Sequence, residues 1–175
     1  TPSGGSNGDG VLFQYDINSN VFIKKHDFLI STNGEYPMGG LCQATDGKLY
    51  GMTNSGGTNG LGTLFQYDPV SNSLIKKNDF SGVLDGSLPN TSLMQASDGF
   101  LYGTTSEGGS NNLGTLFQYD INTSTINKKI DFDGVVFGKS PRCELMQAND
   151  GKLYGSATLG GAGGNGVLFQ YNIST

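Results

Sequence analysis

The heptapeptide Gly-Val-Leu-Phe-Gln-Tyr-Asp begins at Gly10, and near-copies begin at Gly62, Gly114 and Gly166, so the chain repeats itself every 52 residues without a gap. The same offset superposes Lys24-Lys25 on Lys76-Lys77 and Lys128-Lys129, Pro37 on Pro89 and Pro141, and Asp46-Gly47 on Asp98-Gly99 and Asp150-Gly151. A strict period of this length constrains the fold more than any other property of the chain. Each repeat is one supersecondary unit that buries its apolar faces against its neighbours, as in solenoids, propellers and arrays. Repeat units fall at about 1–40, 41–92, 93–144 and 145–175, the first and last being partial.

Within a repeat the pattern reads as four short strands, A to D. In the copy from Ser92 to Phe132, strand A is predicted over Leu93 to Ala96 and strand B over Phe100 to Thr104, joined by Asp98-Gly99, a pair suited to the positive φ angles of a tight hairpin. A glycine-rich loop, Ser106 to Leu113, leads to strand C at Gly114 to Tyr119; a polar turn then precedes strand D at Ile126 to Phe132. Consecutive apolar residues such as Leu101-Tyr102 and Leu116-Phe117 imply strands buried on both faces. Blades of a β-propeller meet that condition, because each four-stranded antiparallel sheet packs between two others around an axis. The doubled lysines then belong to strand D, the outer edge, where charge discourages pairing with other chains. A right-handed β-helix is the rival architecture, but its coils are shorter and lack such tight hairpins.

Composition agrees with many strands and turns: 29 glycines and only 14% charged residues disfavour long helices. A net charge of -5 argues against nucleic acid or an anionic membrane as partner, since either needs a field of the opposite sign. No apolar stretch approaches the roughly 20 residues that span a bilayer, so membrane insertion is not expected. The opening Thr-Pro-Ser-Gly-Gly carries neither an initiator Met nor a signal-peptide pattern, which reads as a processed product or an excised piece.

Leu-Tyr-Gly-Thr-Thr at 101–105, Gly-Gly at 108–109 and Gly-Thr-Leu-Phe at 114–117 resemble the GloVer tandem repeat of large bacterial secreted and surface proteins. Tyr67-Asp68-Pro69-Val70-Ser71-Asn72 also resembles the Tyr-Asp-Pro-x-x-Asn turn of kelch blades. The resemblance covers the whole chain and implies a kelch-like propeller, export and, in many members, a sorting or anchoring region. It brings no catalytic residues to transfer. This chain departs from the pattern in having no Trp and in carrying Gly-Met-Thr at 51–53 and Gly-Ser-Ala at 155–157. Strands C and D, two complete units and a final A, B and C do not close a ring. An excerpt of a longer array is expected, with a ring closed by a second copy as the alternative.

Comparison between repeats also sorts the candidate chemistry. His26, the only histidine, has Asn78 and Ile130 as counterparts, which suggests a surface residue of an edge strand rather than an acid or base. Cys42 superposes on Met94 and Met146, as a replacement for a buried hydrophobe, and Cys143 on Gly39 and Thr91; free thiols are expected, and no zinc site. Asp16, Asp68 and Asp120, replaced by Asn172 in the last repeat, and likewise Asp27, Asp79 and Asp131, recur at identical spacing, which suits turns or inter-blade bonds, whereas a catalytic pair is needed once. Asp131-Phe132-Asp133-Gly134 lacks the remaining ligands of a calcium loop, and Gly56-Gly57 through Gly62 lacks the Gly-Lys-Ser/Thr of a phosphate loop. The Asn-x-Ser/Thr triplets at Asn90, Asn122 and Asn172 are read as by-products of composition. No catalytic residue, metal or cofactor is assigned.

Alternating strands would put the B–C and D–A loops on one face. These loops vary between repeats: Asn54 to Leu61, Ser106 to Leu113 and Thr158 to Asn165 on one side, Ile30 to Tyr36 and Ser81 to Leu88 on the other. Variable polar loops on a rigid scaffold are where binding normally sits. The expectation is an extracellular recognition or adhesion module, secreted or on a bacterial surface, that takes a glycan or protein ligand through Tyr36, Asn54, Asn59, Glu107, Asn111 and Asn112. The alternatives are a structural spacer and, more remotely, an enzyme whose active site lies in the channel of a complete ring.

Overall fold

A computed structural model describes residues 1–174. The chain opens with a two-stranded hairpin of β1 (Val11–Asp16) and β2 (Val21–Asp27). Two complete antiparallel sheets follow: β3 (Cys42–Gln43), β4 (Leu49–Thr53), β5 (Thr63–Asp68) and β6 (Ser73–Asp79), then β7 (Met94–Gln95), β8 (Leu101–Thr105), β9 (Thr115–Asp120) and β10 (Thr125–Asp131). The last sheet contains β11 (Lys139–Pro141), β12 (Met146–Gln147), β13 (Leu153–Leu159) and β14 (Val167–Tyr171). Sequence order equals spatial order in both complete sheets, as in the blades of a propeller. No helix long and apolar enough to cross a membrane occurs among the described residues.

Predicted strands A to D match the observed ones to within two residues, with two differences. Strand A shrinks to two residues, because Ala96 N–H already bonds Phe100 O across the turn and Gly99 N–H bonds Ala96 O. The strand β11 was not anticipated. It belongs to the D–A loop and pairs with the prolonged end of β13, where the other repeats make only the single bridges Glu35 to Ser55 and Ser87 to Glu107.

Burial follows the two-faced pattern. Every residue of β8 is buried, as is every residue but the last of β5 and β9, whereas β6 and β10 at the sheet ends are half-exposed. The cores lie between sheets: Tyr50, Leu64 and Phe80 pack against Leu93, Leu101 and Phe117, and Tyr102, Leu116 and Phe132 against Leu145, Leu153 and Phe169. Successive blades meet through edge-on phenylalanine pairs, Phe28–Phe65 at 5.1 Å, Phe80–Phe117 at 5.4 Å and Phe132–Phe169 at 5.1 Å. The central glycine of strand B has a steric cause, since a Cβ on Gly103 would lie 2.7 Å from Phe117 Cζ and 2.9 Å from Leu93 Cδ2.

The doubled lysines have a geometric role beyond guarding an edge. In each C–D pair the register slips, so that Lys25, Lys77 and Lys129 are the extra residues of β-bulges. Residues three apart in a regular strand point to opposite faces; the bulge brings Lys24 onto the side of Asp27 at 2.7 Å, Lys76 beside Asp79 at 2.8 Å and Lys128 beside Asp131 at 2.9 Å.

Candidate functional site

The B–C and D–A loops are tied together on one face. Gly57 N–H bonds Ile30 O, Gly109 N–H bonds Gly82 O and Gly161 N–H bonds Gly134 O, each at 2.7–2.9 Å. The face divides into an outer part, made the same way around the first three B–C loops, and an inner rim beside strands A, which differs from blade to blade.

On the outer part, the carboxylate that ends strand D gathers the tip of the B–C loop. Asp79 accepts Thr58 N–H and Thr58 Oγ1–H, both at 2.9 Å, and Asp131 accepts Ser110 N–H and Oγ–H at the same distances. Asp27 does the same for Ser6. Burial opposes ionisation of Asp79 and Asp131, yet the lysine ammonium and the loop donors outweigh it and hold both carboxyls below their ordinary range. Beside each carboxylate, an asparagine amide donates to the backbone at the end of strand D: Asn7 to Phe28 O, Asn59 to Phe80 O and Asn111 to Phe132 O, at 2.9–3.0 Å. Asn112 has a φ of 55° and its Oδ1 accepts Gly108 N–H at 3.1 Å. Of the six residues singled out from sequence, Asn59, Asn111 and Asn112 therefore lie exposed at this outer rim with part of their amide capacity engaged in shaping the loop.

The other three, Tyr36, Asn54 and Glu107, belong to the inner rim. Asn54 N–H bonds Tyr36 O at 3.0 Å, and Asn54 Nδ2–H donates to Asn90 Oδ1 at 2.6 Å. Asn90 Nδ2–H donates in turn to Ser106 Oγ at 2.9 Å, whose hydroxyl donates to Leu88 O. This relay crosses from one blade to the next. Glu107 adjoins it with an exposed side chain, and Tyr36 is 42% exposed. Tyr36, Leu88 and Ser140, one per repeat, all have φ near +50° and all precede proline, a conformation that non-glycine residues seldom adopt. It turns each carbonyl toward the end of strand B, where Asn54 and Ser106 receive it. Nearer the axis, Gly40 N–H bonds Ser92 Oγ at 2.8 Å and Ser92 Oγ–H bonds Glu144 Oε1 at 2.6 Å, both between equivalent positions of successive repeats.

Sequence comparison at a fixed offset of 52 passes over a further set, because its members are 50 residues apart. Gln95 Oε1 accepts Thr45 N–H at 2.9 Å while its Nε2 donates to Thr45 Oγ1 and Gly99 O. Gln147 repeats this on Ser97 and Gly151. The recurring Leu-x-Gln of strand A is the sequence signal of these inter-blade clasps.

The remaining candidates take structural places. Asp16, Asp68 and Asp120 cap their turns by accepting N–H groups two residues on, at 2.8 Å. Asp46, Asp98 and Asp150 accept both the turn N–H and the hydroxyl of Tyr50, Tyr102 and Tyr154. His26 is not the solvated edge residue expected: it is half-buried, Asn33 Nδ2 lies 2.7 Å from its Nε2, and desolvation lowers its pKa against the opposing pull of Asp27. Cys42 and Cys143 are not bonded to one another. Cys42 is half-buried and packs against the core between the two complete sheets, as its counterpart Met94 does against the next; the third counterpart, Met146, lies on the last sheet and is 59% exposed. Cys143 Sγ accepts Ser156 N–H at 2.7 Å, in the place where Thr91 meets Thr104. No group of three His, Cys, Asp or Glu side chains suited to a metal occurs among the described residues.

Repeated four-stranded antiparallel blades packed side by side through inter-blade clasps define a β-propeller repeat protein. Solved structures agree. The chain superposes on TolB from Acinetobacter baumannii with a TM-score of 0.58 at 15% identity, covering 94% of this chain and 36% of that one. It matches the extracellular domain of a hybrid two component system from B. thetaiotaomicron with a TM-score of 0.63 at 15% identity, covering 94% of this chain and 19% of the other. The periplasmic gluconolactonase of Pseudomonas aeruginosa gives 0.58 at 17% identity, over 97% and 47%. The chain thus spans less than half of each of these proteins. It belongs to the Gloeobacter/Verrucomicrobia repeat family, which it matches over residues 1–175. No curated protein sequence matches it.

Proposed function

We propose that this chain is a recognition module of an exported bacterial protein, and that it binds a hydroxyl-rich ligand, a glycan, at the inner rim of the loop face. The observation that carries this reading is the row of half-buried amides Asn54 and Asn90, fixed across two blades by the buried Ser106 hydroxyl and flanked by the exposed Glu107 and Tyr36. Such a row offers donors and acceptors at once, which is what sugar hydroxyls match. It is pre-organised, since its backbone is held by the positive-φ turns at Tyr36 and Leu88, so little ordering entropy opposes binding. Tyr36 supplies an aromatic face on which a sugar ring can stack. Relatives in fold named as extracellular or periplasmic, one of them a lactonase of a sugar acid, are consistent with export and with a sugar-like ligand.

The test is a glycan array followed by calorimetric titration of the best ligand. Asn90→Ala should weaken binding at least tenfold while leaving the far-ultraviolet dichroism unchanged, and Asn122→Ala, in a C–D turn on the opposite face, should leave binding intact. Binding lost on the C–D turn side and untouched by Asn90→Ala would overturn the assignment. A spacer without ligand is favoured instead by one observation, the loop-shaping bonds of Asn59 and Asn111, and would give an empty array.

A further inference from the structure

Asn33 and Gly34 lie in the D–A loop that follows β2, and separate contacts converge on the peptide bond between them. The Asn33 side chain is buried. Its Oδ1 accepts Leu29 N–H at 2.8 Å, which fixes the orientation of the carboxamide and turns Nδ2 toward His26 Nε2, 2.7 Å away. The main-chain carbonyl oxygen of Asn33 accepts Thr63 Oγ1–H at 2.8 Å, and Thr63 Oγ1 lies 2.9 Å from Thr53 Oγ1, both threonines being fully buried. The Gly34 N–H donates no hydrogen bond among the described residues. Gly34 itself is pressed against the threonine pair, where a Cβ would overlap Thr53 Oγ1.

We propose that this is a self-cleavage site, at which Asn33 Nδ2 attacks its own main-chain carbonyl carbon and severs the Asn33–Gly34 peptide bond, with His26 as the base. His26 Nε2 takes a proton from Nδ2, while Leu29 N–H stabilises the charge that develops on Oδ1. The new bond from Nδ2 to the carbonyl carbon closes a five-membered ring within one residue, so the reacting groups are already joined. The carbonyl oxygen becomes an oxyanion, which Thr63 Oγ1–H stabilises in a buried, water-poor setting. When the intermediate collapses, the bond from the carbonyl carbon to Gly34 N breaks and the proton held by His26 passes to that nitrogen. The products are a segment ending in an aminosuccinimide at Asn33 and a segment beginning with the free amine of Gly34. Water then opens the succinimide. Desolvation lowers the pKa of His26, which keeps its imidazole neutral and able to accept the proton.

The repeats separate this chemistry from the scaffold that carries it. The threonine donor recurs, since Thr115 Oγ1–H donates to Asp85 O at 2.9 Å beside Thr105, so the hydroxyl alone is part of the fold. The nucleophile and the base occur once and occur together. Position 33 becomes Asp85 and Phe137 in the later repeats, and position 26 becomes Asn78 and Ile130. The other Asn-Gly pairs, Asn7-Gly8, Asn59-Gly60 and Asn165-Gly166, have no histidine, because His26 is the only one in the chain. A catalytic pair is needed once, whereas a turn is needed in every blade.

The purified chain, incubated folded at neutral pH and followed by intact-mass spectrometry, should accumulate fragments 1–33 and 34–175. The first should initially be lighter by one water than a chain ending in asparagine, as the succinimide requires. His26→Asn, which gives the first repeat the residue that the second carries at Asn78, should slow the cut at least about tenfold with unchanged circular dichroism. Asn33→Asp, which gives it the residue found at Asp85, should abolish the cut. A chain that stays intact, a cut indifferent to His26→Asn, a fragment 1–33 that never shows the loss of water, or equal cutting after Asn59 would each overturn the assignment. Conversion of Asn33 to aspartate in the uncut chain would do so too, since it would make Gly34 N the nucleophile.

Discussion

Gly103→Ala probes a close approach between strand B and the aromatic ring of strand C. The added methyl would sit 2.7 Å from Phe117 Cζ and 2.9 Å from Leu93 Cδ2, well inside van der Waals contact. Neither neighbour can yield easily: Phe117 is fully buried, with its ring edge-on to Phe80 at 5.4 Å, and Leu93 is 4% exposed. Overpacking of this kind costs about 1–3 kcal/mol. The lower entropy of alanine in the unfolded chain offsets about 0.4–1 kcal/mol of that. A net loss of about 1–2 kcal/mol is expected, which lowers the melting temperature of a domain of this size by roughly 2–8 °C. The assay is urea and thermal unfolding followed by circular dichroism. Gly163→Ala serves as control, because its methyl would meet nothing closer than Asn165 Nδ2 at 3.6 Å, and only the small entropic gain should appear. Adding Phe117→Leu to Gly103→Ala should recover part of the loss, giving a coupling energy of about 0.5 kcal/mol or more. Equal stability of the Gly103 and Gly163 variants, or strict additivity with Phe117→Leu, would refute the claim that this glycine exists to admit the ring.

Asp79→Ala should cost about 1–2 kcal/mol in urea unfolding and speed amide exchange at Thr58, since it strands that N–H and leaves Lys76 without its carboxylate. Acid should destabilise the protein in two stages. The lowered pKa of His26 means the unfolded chain takes up a proton first, so stability declines as pH falls below about 6.5, and His26→Asn should flatten that limb. The lowered carboxyls of Asp79 and Asp131 contribute stability that is complete above the ordinary carboxylate pKa of about 3.9 and is lost as pH falls toward their folded values; unfolding measured from pH 3 to 7 checks both limbs. Gln95→Ala should cost about 1 kcal/mol and raise exchange at the Thr45 amide, because that N–H loses its acceptor between blades.

The architecture was legible because a period is visible without any structure. Gly-x-Leu-Phe-Gln-Tyr recurring at one spacing, with Asp-Gly turns in phase, leaves few folds that bury Leu116 and Phe117 on opposite faces of one strand. The details that escaped have a common cause: they depend on which residues of different repeats come together. The Gln95–Thr45 clasp joins positions out of phase with the period. The lysine doublet looked like edge protection because nothing in a linear pattern signals a bulge, yet the bulge is what lets Lys76 reach Asp79. His26 looked solvated because Asn78 and Ile130 share its position, while the partner that half-buries it, Asn33, lies in a loop with Asp85 and Phe137 as counterparts.

Comparing repeats separates scaffold from site more finely than loop length does. The residues that hold the first three B–C loops to strand D are nearly the same: Ser6, Thr58 and Ser110; Asn7, Asn59 and Asn111; Asp27, Asp79 and Asp131. A ligand contact built on them would be repeated around the face with little means of discrimination. The inner rim behaves differently. Met38, Asn90 and Arg142 occupy one position, Asn54, Ser106 and Thr158 another, Gly40, Ser92 and Glu144 a third, and Ser55, Glu107 and Leu159 a fourth. Their backbones are fixed by the same positive-φ turn at Tyr36, Leu88 and Ser140, while their side chains range from apolar to cationic to acidic. A constant backbone that carries changing chemistry is the arrangement specificity requires, because each blade can place a different group at a known position without altering the fold that holds it.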